Sequence, residues 1–241
     1  SSILLHPGTV IRRFSENGDV IDTLSRLPAS AVARFDDSTI VSSWMDTLRT
    51  HTGTNVVSRS MPGADHDASA IVGSASSICA ARNGALLCSI LGTDRRHPDS
   101  SFPRRYRSGG IVRSTDMGAT WTVPELPNPN SRYVYGIARL PSGTLLCVQA
   151  KAVEDTSVID PGGIQSYSAY QLEDVHIIRS ADDGISWQEV ARIFFNGSWV
   201  ASTGRFLDWK DGRIFAAVPG AVMVSTNDGL FWDFDERIPG T

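Results

Sequence analysis

Lysine is nearly absent from this chain. Of 22 basic residues only two, Lys151 and Lys210, are lysine, which leaves 20 arginines. With 26 acidic residues the formal charge is −4, so the chain is not built as a general binder of nucleic acid or of an anionic membrane surface. The arginine excess suits forked recognition of carboxylates, although coding bias in a GC-rich genome is the simpler account. Cysteine is scarce as well. Cys79, Cys88 and Cys147 are odd in number, lie in apolar strand-like runs and show no metal-ligand spacing, which reads as small buried side chains rather than a disulfide framework. No apolar run approaches the roughly 18 residues of a membrane span. No charged n-region leads into an apolar h-region either, so neither a signal peptide nor membrane insertion is expected. A mature secreted form and a virion or other extracellular assembly both fit, as does synthesis without a signal. Heptads and long 3.6-residue periods are also missing, which leaves strands as the building material.

What is present is one eight-residue pattern written three times: Ser114-Thr115-Asp116-Met117-Gly118-Ala119-Thr120-Trp121, Ser180-Ala181-Asp182-Asp183-Gly184-Ile185-Ser186-Trp187 and Ser225-Thr226-Asn227-Asp228-Gly229-Leu230-Phe231-Trp232. In Ser-x-Asp-x-Gly-x-x-Trp, Ser and Asp side chains bond nearby main chain and build a turn without a sheet partner. Gly118, Gly184 and Gly229 supply positive φ. Trp121, Trp187 and Trp232 open the next strand and offer a large apolar face to bury between sheets. Asn227 keeps the acceptor oxygen and loses only the charge. All these roles are structural, so no catalytic carboxylate is read from Asp116, Asp182 or Asp228.

The pattern resembles the Asp-box of the sialidase (neuraminidase, BNR-repeat) superfamily of β-propellers. The resemblance implies an all-β chain of four-stranded antiparallel blades, with the box turns between the third and fourth strands of a blade. A second repeating element supports the reading. Asp36-Asp37-Ser38-Thr39-Ile40-Val41, Arg82-Asn83-Gly84-Ala85-Leu86-Leu87-Cys88, Pro141-Ser142-Gly143-Thr144-Leu145-Leu146-Cys147 and Lys210-Asp211-Gly212-Arg213-Ile214-Phe215 are polar turns feeding apolar strands, as in hairpins. The alternation of the two elements gives repeats over about 29–73, 74–127, 131–195 and 198–238. The first repeat carries a decayed box near Ser58 to Gly63. Residues 1–28, with Ser15-Glu16-Asn17-Gly18 as a degenerate hairpin turn, are expected to close the ring. About five blades in one domain over 1–241 are expected; a six-bladed, sialidase-like ring is the alternative.

In such a blade the first and third turns share one side of the ring, and the longer connections share the other. Three long connections, Met45 to Asn55, Gly92 to Gly109 and Ala150 to Asp174, are placed on the second side, where loops of that length are commonly functional. The densest polar cluster is there: Arg95, Arg96, His97, Arg104, Arg105, Tyr106 and Arg107. It suits a clamp on an acidic sugar, with Phe102 or Tyr106 stacking on a sugar face; a solvated loop or subunit contact is the plainer reading. His51 and His97 are assigned to the same side as exposed loop residues.

Sialidases hold the substrate carboxylate with three arginines, and pair a Tyr and a Glu with an Asp. Their Phe-Arg-Ile-Pro signature is missing. Ser131-Arg132-Tyr133-Val134 and Gly204-Arg205-Phe206-Leu207 are its nearest echoes, which adds Arg132, Tyr133 and Arg205 to the ligand candidates, while Ala75-Ser76-Ser77-Ile78-Cys79 has Ser where Arg is required. Asp46, Asp94, Glu154, Asp155, Glu173 and Tyr106 are acidic or nucleophilic candidates on the same side, with nothing to pair them as glycoside hydrolysis needs. Asp65-His66-Asp67 is rejected as a metal site, because adjacent strand residues point to opposite faces.

The chain therefore reads as a non-catalytic propeller, a recognition or assembly module that binds glycan or a protein surface, with a homo-oligomer or larger assembly in view. The alternative is a sialidase-like, exo-acting glycosidase on acidic sugars. No cofactor and no metal are expected, and catalytic residues are left unassigned.

Overall fold

The computed structural model describes residues 2–6, 10–14, 20–25, 31–35, 39–44, 47–52, 55–60, 75–90, 110–128, 133–155, 169–198, 205–208, 211–218 and 221–234. Every element among them is a strand. The first sheet contains β1 (Ser2–His6), β2 (Val10–Phe14) and β3 (Val20–Ser25); the second contains β4 (Ala31–Arg34), β5 (Thr39–Trp44), β6 (Thr47–Thr52) and β7 (Asn55–Ser60). The third is β8 (Ala75–Ala80), β9 (Leu86–Ile90) and β10 (Gly110–Ser114), and the fourth is β11 (Tyr133–Arg139), β12 (Leu145–Asp155), β13 (Ala169–Ser180) and β14 (Gln188–Ser198). The fifth holds β15 (Arg205–Asp208), β16 (Ile214–Val218), β17 (Ala221–Ser225) and β18 (Asp233–Phe234). Within each sheet the order follows the chain and every pairing is antiparallel. In the third sheet the fourth strand shrinks to a single bridge, Arg113 to Thr122.

Successive sheets meet through their first strands. β4 lies against β8, β8 against β11, and β11 against β15. Sheets that put their first strands side by side and stack face to face form the blades of a propeller. The apolar runs explain the stacking. In Leu145-Leu146-Cys147-Val148, alternate residues point to opposite faces, and both faces are buried. Leu145 and Cys147 pack with Cys79, Leu87 and Ile111 of the third sheet. Leu146 packs with Ile214, and Val148 with Ala216 and Met223, all of the fifth sheet. Between the second and third sheets Val41 and Leu48 meet Leu86, Cys88 and Val112. Each fully buried Leu or Ile contributes about 2 kcal/mol, so these joints hold the architecture.

Four expectations need correction. The described part of the decayed box expected over Ser58 to Gly63 is not a turn, because Ser58 to Ser60 end a regular strand, Asn55–Ser60, paired along its length with β6; 61–63 lie outside the described residues. Met45 to Asn55 is not a long connection: β5 and β6 are separated by two residues only, with Trp44 opposite Thr47. That hairpin carries His51 into a strand, where it is 2% exposed, so His51 is not an exposed loop residue. Ala150 to Asp174 is sheet at both ends, since β12 and β13 remain paired out to Asp155 and Ala169, while 156–168 lie outside the described residues. Glu154, Asp155 and Glu173 are thus strand residues. All three cysteines are buried free thiols, and burial pushes Cys79 up to about 11 and Cys88 up to about 12.

Candidate functional site

The propeller has two sides of different character, and the three eight-residue turns define one of them. In the first turn Ser114 Oγ donates to Asp116 Oδ1 (2.8 Å) and accepts from Gly118 N (2.7 Å), while Thr120 donates from N to Oδ1 (2.8 Å) and from Oγ1 to Oδ2 (2.6 Å). The second turn repeats this with Ser180, Asp182, Gly184 and Ser186. In the third, Asn227 Oδ1 accepts from Ser225 Oγ (3.0 Å) and Phe231 N (2.9 Å). Phe231 has no hydroxyl to occupy a second oxygen, and this is why Asn suffices there. Met117, Asp183 and Asp228, the residues before the glycines, also take positive φ (57°, 57° and 60°). The carboxylates are therefore frame members. Hydrogen bonds from Thr120 and Ser114 hold Asp116 down at about 2. Burial works to raise Asp182, and the bonds from Ser186 and Ser180 outweigh it, so its carboxyl also lies below the usual range.

Each turn is gripped by an arginine of the preceding sheet. Arg59 Nη1 donates to Asp116 O and Met117 O (both 2.9 Å), Arg113 Nε to Asp183 O (2.9 Å), and Arg179 Nε to Asp228 O (3.0 Å). Sequence reading missed these clasps, although Arg113 and Arg179 both stand one residue before a turn's serine. The fifth sheet has Val224 at that position. Hairpin turns of the preceding sheet add further bonds. Arg82 N and Asn83 N donate to Asp183 Oδ1 (3.0 and 3.4 Å), and Ser142 Oγ and Thr144 Oγ1 donate to Asp228 Oδ1 and Oδ2 (2.6 and 2.5 Å). The first and third turns of the blades thus do share one side. The tryptophans follow: Trp121, Trp187 and Trp232 pack into the second–third, third–fourth and fourth–fifth joints.

The opposite side is the candidate functional site. Its main feature is an arm built by the fourth sheet. β11 begins at Tyr133, opposite Ala150, but β12 and β13 stay paired for five further residues of β12, through Lys151 with Asp174, Ala152 with Leu172, Val153 with Gln171, Glu154 with Tyr170 and Asp155 with Ala169. β14 accompanies them, pairing Phe194, Gly197 and Ser198 with Asp174, Leu172 and Gln171. At about 3.3 Å per residue the arm extends roughly 15 Å beyond the start of β11. Arg192 Nη2 holds Asp174 Oδ2 at its base (2.9 Å). Two sequence candidates sit on this side at first-strand positions: Tyr133 is the first residue of β11 and Arg205 the first of β15, which lies alongside. Arg95, Arg96, His97, Arg104, Arg105, Tyr106, Arg107 and Arg132 lie outside the described residues, as do Asp46, Asp94 and Asp65-His66-Asp67.

Two buried polar groups were not anticipated. His176, 4% exposed, brings Nδ1 to 2.9 Å from Glu189 Oε2, off the line of a hydrogen bond. Asn128 joins them, donating from Nδ2 to the same Glu189 oxygen (2.9 Å) and accepting Gln149 Nε2 at its carbonyl (2.5 Å). This ties the tail of the third sheet to the fourth. His51 Nε2 bonds Ser42 Oγ (2.8 Å), and burial, with Arg49 nearby, lowers its pKa. Among the described residues no group of three His, Cys, Asp or Glu is placed to hold a metal ion, and no helix is long and apolar enough to cross a membrane.

Neither a protein-family model nor a curated protein matches this chain. Solved structures do. A protein of unknown function from Dyadobacter fermentans is 15% identical over 84% of this chain and 66% of its own, with a TM-score of 0.52. A gluconolactonase from Xanthomonas campestris is 17% identical over 97% of this chain and 70% of its own, with a TM-score of 0.53. The chain thus spans about two thirds of the length of these two structures. Likeness at such identity carries the fold alone, and the fold it supports is the β-propeller.

Proposed function

We propose that this chain is a propeller module for recognition or assembly, with its five sheets as five blades and its binding face on the side of the arm. The observation that carries the reading is the arm itself. Three paired strands continue past the body of the fourth sheet, and a rigid scaffold that projects an element from one side is the usual way to present a contact surface. The other side supports it by contrast: the Asp and Ser side chains of the turns are committed to the frame. The ligand is a glycan or a protein surface that spans the arm and the ends of β11 and β15.

The test replaces residues 153–171 by Asn-Gly, a two-residue hairpin loop that joins the paired residues Ala152 and Leu172. The shortened protein should keep the melting temperature of the parent and lose its signal on a glycan array or against a captured partner. Retained binding would sink the reading. A second reading, a hydrolase acting on acidic sugars, is favoured by one placement: Tyr133 and Arg205 open neighbouring first strands on the arm side. Turnover of a fluorogenic sialoside, lost on Arg205→Ala, would establish it in place of the first.

A further inference from the structure

On the side away from the arm, an open cleft of about 590 Å³ lies between the β8–β9 turn and the β11–β12 turn, lined by Arg82, Arg139, Leu140, Pro141, Ser142 and Gly143. We propose that this cleft binds a small organic carboxylate through Arg82 and Arg139. Its size falls in the range of small-molecule sites. Arg82 is fixed by its main chain, whose N donates to Asp183 of the neighbouring turn (3.0 Å). Its side-chain stem lies over Gly143, with Cδ 3.1 Å from where a Cβ would stand. The guanidinium is exposed and has no hydrogen-bond or ion-pair partner among the described residues. Arg139, also exposed, spends one bond, a long one from Nη1 to Ala81 O (3.3 Å).

The acidic groups around the cleft are committed elsewhere. Asp183 accepts two main-chain N–H groups, and Asp228 accepts Ser142, Thr144 and Arg179. One guanidinium without a partner among the described residues, Arg82, and one with a single long bond, Arg139, therefore lie beside two satisfied carboxylates. A carboxylate matches the geometry of a guanidinium fork. Attraction to the two arginines and repulsion from Asp183 and Asp228 both scale with ligand charge, so it is the non-ionic lining of the cleft, which phosphate has no carbon body to meet, that favours an organic carboxylate. Leu140 and Pro141 give the body of such a ligand an apolar wall.

Titration of the whole protein with glucuronate, glucose and inorganic phosphate, followed by chemical shifts or calorimetry, tests the assignment. Glucuronate should bind, glucose should not, and phosphate should bind more weakly. Arg82→Gln and Arg139→Gln should each weaken glucuronate about tenfold, the expectation for one charge-assisted hydrogen bond, and the double variant should abolish binding. Because Arg82 holds Asp183 through its main chain, Arg82→Gln should melt with the parent, and Arg139→Gln close to it, since it gives up only the long bond to Ala81 O. Equal binding of glucose, tighter binding of phosphate, no glucuronate binding at millimolar concentration, or an indifferent double variant would overturn the proposal. The variant lacking residues 153–171 should bind glucuronate like the parent. Loss there, with binding kept in the double arginine variant, would move the ligand to the arm side and overturn it equally.

Discussion

Arg179 of the fourth sheet holds Asp228 of the fifth by two atoms at once, donating from Nε to the main-chain oxygen at 3.0 Å and from Nη2 to the carboxylate at 2.8 Å. The arginine side chain is 11% exposed and the carboxylate 36%, so solvent screens the pair only in part. Arg179→Met keeps the stem and removes the fork. Thr144 and Ser142 would still satisfy Asp228, which limits the cost to about 2 kcal/mol, within the range of hydrogen bonds to charged groups. Urea denaturation should show it as a lower midpoint with an unchanged slope. Arg213→Ala is the control. Its partner Asp211 is two residues away in the same exposed turn, and a solvent-screened pair of this kind is expected to contribute next to nothing. Equal losses in both variants would refute the clasp.

The glycines of the turns separate two costs that usually come together. Gly184 has φ +80°, and a Cβ there would run into Leu87 of the preceding sheet; Gly212 has φ +78° and open space. Gly212→Ala should therefore cost about 1 kcal/mol for the left-handed backbone alone. Gly184→Ala should cost roughly 2 to 4 kcal/mol, because overpacking against a fully buried Leu is added. Leu87→Ala should cost less in the Gly184→Ala background than in the parent, because truncating the side chain relieves the overpacking while opening a cavity. Thermal or urea unfolding of the parent, the three single variants and the double variant reads all the terms.

Acid should loosen the frame. Asp116, Asp182 and Asp228 all lie below the usual carboxylate range in the folded chain. A depressed folded value means stability that is fully present above the unfolded value, near 4, and is lost as pH falls towards the folded value, about 2 for Asp116. Unfolding free energy should thus rise with pH between about 2 and 4. Asp182→Asn should shallow that slope by up to one proton, lowering the plateau above pH 5 and leaving the acid end of the curve the least affected part. An unchanged slope would count against the bonds that Ser180 and Ser186 make.

The turns were legible because their chemistry is local: a serine, an acceptor two residues on and a glycine two residues further close the bonds of Ser114, Asp116 and Gly118 within one short stretch. The clasps were not, since Arg113 meets Asp183 only after 70 residues, and nothing local marks an arginine whose target is a main-chain oxygen. The β5–β6 hairpin was missed because Met45-Asp46 carries neither glycine nor proline. The arm was read as loop for a different reason. Lys151-Ala152-Val153-Glu154-Asp155 and Ala169-Tyr170-Gln171-Leu172-Glu173-Asp174 lack the clean apolar alternation of a sheet with one buried face. Among the described residues the strands form three four-stranded sheets and two three-stranded ones.

The third turn offers the sharpest test of how the motif works, because it differs from the first two at two coupled positions. Where Asp116 and Asp182 use a second oxygen to accept Thr120 and Ser186 hydroxyls (both 2.6 Å), the third turn has Asn227 and Phe231. Asn227→Asp alone should gain nothing: the new oxygen has no donor and adds charge next to Asp228 in the chain. Phe231→Thr alone removes an aromatic ring that is 74% exposed, with little effect on the turn. Together they recreate the bond of the other two copies. The double variant should be more stable than the sum of the single changes by about 1 kcal/mol, the net worth of one hydrogen bond and a coupling expected of neighbouring residues. Strict additivity across the four proteins would mean that the hydroxyl contributes nothing to the turn, and that the exchange of Asp for Asn beside Phe231 is coincidence.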